Sequence, residues 1–406
     1  MNKAHSILII GGGAAGFFAA ISAKRTHPDA KVSLIEKNSA FLSKVRVSGG
    51  GRCNVTHACF DPKLLSKHYP RGERELVGPF HQFQPKDTCS WFESRGVPLK
   101  TEEDGRIFPV SDSSQSIINC LLDEAEKLSV SILQKQKIET ILKREKGFSL
   151  QMKDGSELFG NQLILACGSS LKGHEWSRAL GHTIQPPVPS LFTFNIPQFA
   201  LKELSGIAFK NVTIRIKESS FEQSGALLIT HFGLSGPAVL KLSAWAARAL
   251  YEKDYSFEVL INWLPGFALQ TVLEKLNALK RQVPHKTLLN ENLFKLPKNF
   301  WRKMLKRSNG IDQKRLNDLS SKELNLLAKI LLSDTFQIKG KTTNKEEFVT
   351  CGGVTLKEVN FKTMESKICP GLFFAGEILD IDGVTGGFNF QNAWTTGFIA
   401  GSCTKL

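Results

Sequence analysis

Ser6-Ile-Leu-Ile-Ile-Gly-Gly-Gly-Ala-Ala-Gly-Phe-Phe-Ala-Ala-Ile-Ser-Ala-Lys24, followed by Val32-Ser-Leu-Ile-Glu36, decides the fold. The run Ser6–Ile10 is short and apolar, as a central parallel strand buried on both faces must be. Gly11-x-Gly13-x-x-Gly16 then predicts a tight turn into a helix over Phe17–Lys24. In this spacing the first glycine permits the turn, the second lets backbone approach a pyrophosphate, and the third lets helix pack on strand. Ala14 and Ala15 keep the same turn small. Unpaired N–H groups and the helix dipole favour an anion there. Val32–Ile35 reads as the second strand. Glu36, twenty residues beyond the last glycine, is placed to accept hydrogen bonds from the ribose of an adenosine.

The fingerprint alone does not separate NAD from FAD. The far end of the chain does. Gly371-Leu-Phe-Phe-Ala-Gly376-Glu377 reads as another strand with an acidic end, and Gly383-Val-Thr-Gly386-Gly387-Phe388-Asn389 opens a final helix over 386–401. A second nucleotide-type segment suits a long cofactor. The acid can hold its ribityl or pyrophosphate region, and the helix N-terminus can face the N1–C2=O edge of a flavin. Non-covalent FAD is therefore expected, on a Rossmann-type, glutathione-reductase-like α/β domain built from both ends of the chain.

Three further motifs carry polar chemistry. Ser48-Gly49-Gly50-Gly51-Arg52-Cys53-Asn54 suggests backbone passing close to a flat ligand with polar groups at its edge. Arg52 could meet a phosphate or a developing anion. Cys53 could donate a proton to a substrate, or could be a small filler beside the cofactor. Glu103-Asp-Gly-Arg106-Ile-Phe-Pro109 places an arginine at a glycine turn, and Thr230-His231-Phe-Gly-Leu-Ser-Gly-Pro237 offers a candidate acid or base. Arg52, Cys53, Arg106 and His231 are the candidate catalytic residues. Lys37, Lys44 and the strand end Ala166-Cys167-Gly168 complete the expected cofactor set.

Composition narrows the setting. The 406 residues are too many for one ordinary core. Lys and Arg number 53 against 38 Asp and Glu, a net charge of +15 that favours anionic partners. The eight cysteines show no CxxC pair and no metal spacing, which suits free thiols in a reducing cytoplasm and no metal site. The apolar run Ile7–Ala23 is interrupted by glycines and ended by Lys24 and Arg25, so no membrane role is expected.

The chain reads as three parts. Residues 1–188 and 349–406 form the FAD domain, with 40–110 loop-heavy, a helix over Ile117–Leu128 and a strand over Leu163–Ala166. Residues 189–264 and 331–348 form a β-rich insert, with strands at Val212–Ile216 and Ala226–Thr230. Residues 265–330 form a small helical insert. Its segment 266–330 carries 14 Lys and Arg against 5 Asp and Glu, a net of +9. Lys298, Arg302, Lys303, Lys306 and Arg307 put several charges on one helical face, with Trp301 available for stacking or for the core. This insert is an expected contact for an anionic partner, and, with the resemblance given below, for ribosomal RNA or an assembly precursor.

Together these residues resemble the BaiN/RdsA-type FAD-dependent oxidoreductases over nearly the whole chain. SGGGRCN from Ser48, THFGLSGP from Thr230 and GLFFAGEILDIDGVTGGFNFQNAW from Gly371 carry the likeness. The chain departs from the family at Cys167 and Ser169, where Thr and Gly are usual, and at His57, Cys351, Phe388 and Phe390. The resemblance implies hydride transfer from flavin N5 to a carbonyl-conjugated C=C bond, in a steroid-type enone or a uridine of large-subunit ribosomal RNA. A small-molecule enone reductase or amine oxidase is the alternative enzyme. A ribosome-binding protein that merely retains FAD is the alternative of another class. No second glycine fingerprint is present, so NAD(P)H is expected to dock only transiently as reductant.

Overall fold

The computed structural model describes residues 5–342 and 349–404. The chain divides into two compact units, Met1–Ser190 with Lys345–Leu406, and Leu191–Asn344.

The first unit is organised by β1 (Ser6–Ile10), α1 (Ala14–Thr26) and β2 (Lys31–Ile35). Five parallel strands lie side by side in the order Leu372–Phe374, Gln162–Leu165, β1, β2, Ser131–Leu133. Numbered along the chain this is 5-4-1-2-3, the doubly wound Rossmann order. The central strands are buried on both faces, as their unbroken apolar sequences require. Two short antiparallel strands, Val359–Asn360 and Glu365–Ser366, extend one edge. A three-stranded meander, Ile138–Arg144, Gly147–Met152 and Glu157–Gly160, connects the third parallel strand to the fourth.

Residues 40–110 are not loop-heavy. They hold α2 (Ser43–Gly51) and the helices Pro62–Ser66, Glu73–Gln82 and Pro85–Glu93. Pro62 opens its helix behind Asp61, whose side chain accepts from the Leu64 N–H, and Pro85 opens its helix behind Gln84, whose N–H donates to the Asp87 carboxylate. Proline at that position has no N–H to lose, so it marks a helix start rather than a loop.

The last helix, Phe388–Ser402, lies against α1. At two points of their crossing no side chain fits, and Phe18 and Trp394 pack beside it with ring centroids 4.8 Å apart. A Cβ at Gly397 would sit 2.5 Å from the Ala15 carbonyl oxygen, and one at Gly401 would run into that of Ala19. Trp394 Nε1 donates to the Val55 carbonyl at 2.9 Å, and Gln391 joins the hydroxyls of Thr56 (2.6 Å) and Thr88 (2.9 Å) in full burial.

The proline-rich strand Ile184–Ser190 pairs antiparallel with Val349–Val354, and Ser190 faces Val349. The register shifts between Gln185 and Val188, so Pro186 and Pro187 sit at the irregularity, where a missing N–H breaks no ladder bond.

The second unit is a seven-stranded antiparallel sheet with helices Leu269–Gln282, Lys298–Arg307 and Ser321–Leu332. Sheet and helices share one apolar core in which Phe209, Trp263 and Phe300 meet at 4.7–4.8 Å. Trp301 belongs to this core and donates to the Leu288 carbonyl at 2.7 Å. The cationic face expected on Lys298–Arg307 is split. Arg307 makes a two-pronged ion pair, at 2.6 and 2.7 Å, with buried Asp334, which also receives Trp263 Nε1. Lys303 pairs with Glu203. Lys298, Arg302 and Lys306, four residues apart, keep the outer face.

The α1 crossing can be tested by adding volume. Gly401→Leu should lower stability by about 1–3 kcal/mol through overpacking against backbone that cannot yield. The check is the denaturant midpoint; an unchanged midpoint would show that the helices can separate without loss.

The candidate dinucleotide crevice

Gly11 ends β1 at φ +113°, and its N–H donates to the Ile35 carbonyl at 2.9 Å. A Cβ there would strike Ala166 and lie 2.8 Å from Cys167 Cα. Ala166 follows the strand Gln162–Leu165, so Gly11 sits between the first and fourth parallel strands. That is the point where the strand order reverses and a crevice opens. Gly16 packs on the Gly11 carbonyl. Gly13 caps α1, and a Cβ there would meet nothing within 4 Å. The first turn of α1, with Ala14 and Ala15, carries no side-chain cap, so its N–H groups remain available to an anion. Glu36 stands beside this turn. Its carboxylate accepts from the N–H groups of Gly12 and Asn38, each at 2.8 Å.

The C-terminal segment meets the same crevice. Gly376, at φ +73°, would carry a Cβ only 2.8 Å from that of Ala15. Glu377 pairs with Lys44 at 2.5 Å, accepts from the Thr350 N–H at 3.1 Å, and is the nearest neighbour of Gly168. Gly387 caps the last helix at φ +93°. The Asn54 amide spans from the Thr56 carbonyl to the Gly387 N–H, 3.0 Å each, and so ties the glycine-rich motif to that helix end. Asn389 turns inward instead, exchanging two hydrogen bonds of 2.8 and 2.9 Å with the Gly383 backbone. Cys167 rests its sulfur against Gly173.

In the glycine-rich motif Ser48 leaves the helical path, and Gly49 and Gly50 turn left-handed. No atom lies within 4 Å of a Cβ built at Gly50 or Gly51. Backbone is thereby bared where a flat ligand can approach. Cys53 also has a positive φ, +63°, which turns its side chain into the protein. The thiol is fully buried, and burial pushes its pKa up to about 12. A group that donates to a substrate must touch it, so the proton-donor role expected of Cys53 does not fit this geometry; filler does.

Arg52 and Arg106 are brought together. Both pair with Glu102, at 2.7 and 2.9 Å, and lie over the Phe108 ring at 4.0 and 5.4 Å. Each keeps about a third of its side chain exposed. His231 belongs to the second unit, exposed in a turn where Thr230 Oγ1 receives the Gly233 N–H at 3.1 Å.

Sequence reasoning missed the aromatic stack beside Gly386. Phe388 stacks against both His57 and His68, whose ring centroids lie 4.7 and 4.2 Å from its own and 6.0 Å from each other. The signal was present: His57 and Phe388 both depart from the family pattern, and here they touch. It also missed Glu102, one residue outside the motif that contains Arg106.

The residues present fit FAD. An acid stands beside the uncapped first turn of α1, and Thr350 Oγ1 beside Glu377 and Asn392 Oδ1 near the start of the last helix are buried oxygens without partners. Among the described residues no cluster of His, Cys, Asp and Glu could hold a metal ion, and no helix is long and apolar enough to cross a membrane.

These features define a Rossmann-type FAD-binding oxidoreductase. Comparison places it further: the chain belongs to the HI0933-like protein family, whose Rossmann domain matches residues 5–403. It is 30% identical to the 3-dehydro-bile acid delta(4,6)-reductase of Clostridium scindens, across 99% of this chain and 98% of the relative. It is 31% identical to the ribosomal RNA dihydrouridine synthase of Escherichia coli, across 96% and 95%. Among solved structures, the 3-ketosteroid-delta4-(5alpha)-dehydrogenase of Rhodococcus jostii shares the fold, with a TM-score of 0.52 at 14% identity over 100% of this chain and 98% of that one.

Two outcomes are expected. Glu36→Arg should weaken FAD retention at least about tenfold, since one hydrogen bond to a charged group is worth about 1.5–3 kcal/mol; flavin remaining after dialysis measures it. The Cys53 thiol should resist alkylation at pH 8 in the native protein and react once the chain is denatured. Rapid native labelling would show that the site opens.

Proposed function

We propose that this protein saturates a carbon–carbon double bond conjugated to a carbonyl, and that its favoured substrate is a uridine of large-subunit ribosomal RNA. The observation that carries the reading is the pair of relatives matched almost end to end. One is named for reducing a bile acid and the other for forming dihydrouridine in ribosomal RNA. Their substrates differ, but both names describe the loss of a C=C bond.

Bound FAD supplies the hydride for the β carbon. The chain must hold the acceptor and bring a proton to the α carbon. Glu36, the first turn of α1 and Glu377 would hold the two ends of the cofactor. Arg52 and Arg106, fixed by Glu102, suit a carbonyl or phosphate oxygen, because an arginine stays charged and presents a rigid fork. An arginine is for the same reason a poor acid. The half-buried imidazole of His57, stacked on Phe388, is the group beside Gly386 whose chemistry suits proton delivery near neutral pH. NAD(P)H is the proposed reductant, docking transiently.

RNA is favoured over a small neutral enone, or over amine oxidation, by the net +9 of residues 266–330 and by Lys298, Arg302 and Lys306 on one helical face. Arg307 is held by buried Asp334, and Lys303 pairs with Glu203 at the surface.

The test uses large-subunit RNA from a strain lacking the gene, with dihydrouridine mapped by mass. Wild type should add two hydrogens to a defined uridine. Reversing Lys298, Arg302 and Lys306 to Glu should leave flavin reduction intact and cut RNA modification at least about tenfold, more at higher salt. Arg307 is spared because breaking its buried pair costs about 3–5 kcal/mol. An enone reduced while RNA is untouched would establish the small-molecule reductase. A flavin that never turns over would leave an RNA-binding protein that retains FAD.

A further inference from the structure

The segments that follow β2 and the strand Ser131–Leu133 run together. The Gln136 N–H donates to the Glu36 carbonyl at 3.0 Å, and the Lys135 N–H to that of Asn38 at 3.3 Å. The turn after Gly147–Met152 joins them through the Lys153 N–H, 2.8 Å from the Lys137 carbonyl. Between these three segments lies a cleft of about 490 Å³, bordered by Lys37, Lys135, Lys137 and Lys153 with Met152 and Asp154.

The four lysines are exposed, and among the described residues none of them makes an ion pair. Lys44, Lys100, Lys217, Lys286, Lys303 and Lys314 each have a carboxylate partner. Asp154 offsets one of the four lysine charges and leaves the cleft cationic. Its carboxylate accepts from the N–H (3.0 Å) and hydroxyl (2.6 Å) of Ser156, which hold it below the usual carboxylate range. An excess of like charge raises the local concentration of anions.

We infer that this cleft is a docking track for the phosphodiester backbone of the RNA substrate. The inference rests on RNA being the substrate. Three features select a backbone over a free nucleotide. The charges come from three separate segments and line an edge instead of converging on one point. Lysine is a flexible point charge, suited to phosphates read without regard to sequence. No aromatic ring borders the cleft to stack a base, and Met152 is its one large apolar side chain. The cleft lies in the first unit and is separate in sequence from the basic helix Lys298–Arg307.

The experiment compares FAD-loaded wild type with Lys135→Gln/Lys137→Gln/Lys153→Gln, using a large-subunit RNA fragment as probe. Lys37 is kept because it belongs to the expected cofactor set. RNA affinity at 50 mM salt should fall about tenfold or more, and the slope of log affinity against log salt should become shallower by about 2–3, one phosphate contact per lysine. FAD content and melting temperature should not change. Equal affinity and slope in the two proteins overturn the inference while leaving the proposed substrate standing. Lysine-dependent binding without any dihydrouridine upholds the track and overturns the substrate. A wild type that does not bind RNA overturns both. If the variant instead needs more NADPH to bleach its flavin, the cleft serves the reductant and the inference fails.

Discussion

The first unit depends on a helix crossing that leaves no room for a side chain at two positions. Gly397 and Gly401 press against the carbonyl oxygens of Ala15 and Ala19, so α1 and the last helix meet backbone to backbone. A single added methyl group at either glycine would push the helices apart. This closeness fixes where each helix begins. The start of α1 carries Gly13, and the start of the last helix carries Gly387. Both ends of a long cofactor are thereby referred to one rigid pair.

Other contacts extend that pairing outward. Asn54 fastens the glycine-rich motif to the cap of the last helix, and Gln391 with Thr56 and Thr88 closes the space behind it. The Gln391 network is satisfied in full burial, and such networks specify one arrangement because a half-made version is costly. Polar atoms still without partners, Thr350 Oγ1 and Asn392 Oδ1, lie beside Glu377 and in the last helix.

The Rossmann sheet was legible because its causes are local. A strand buried on both faces has to be apolar throughout, and Gly11 and Gly16 occupy positions where a Cβ meets backbone. What escaped the sequence depends on partners distant along the chain. Lys298 and Arg307 are basic residues of one helix, yet only Arg307 meets Asp334, 27 residues on. Cys53 looked accessible because its neighbours are glycines, but its left-handed backbone points the thiol inward. Pro62 and Pro85 lie in the stretch read as loop-heavy, although Asp61 before the one and Asp87 after the other cap the helices they open. Glu102 lay one residue outside its motif, and nothing in the spacing links it to Arg52, 50 residues earlier.

The ribbon formed by Ile184–Ser190 and Val349–Val354 has a consequence for how such a chain can change. Ser190 and Val349 are partners across the two strands, so everything between them departs and returns at one doorway. Lengthening a segment between fixed anchors costs little, since each doubling of loop length adds only about 0.6 kcal/mol of closure entropy. The nucleotide-binding frame is therefore indifferent to the size of what it hosts. Evolution, or a protein engineer, could exchange the guest for another, or replace it with a short turn, without re-threading the parallel sheet.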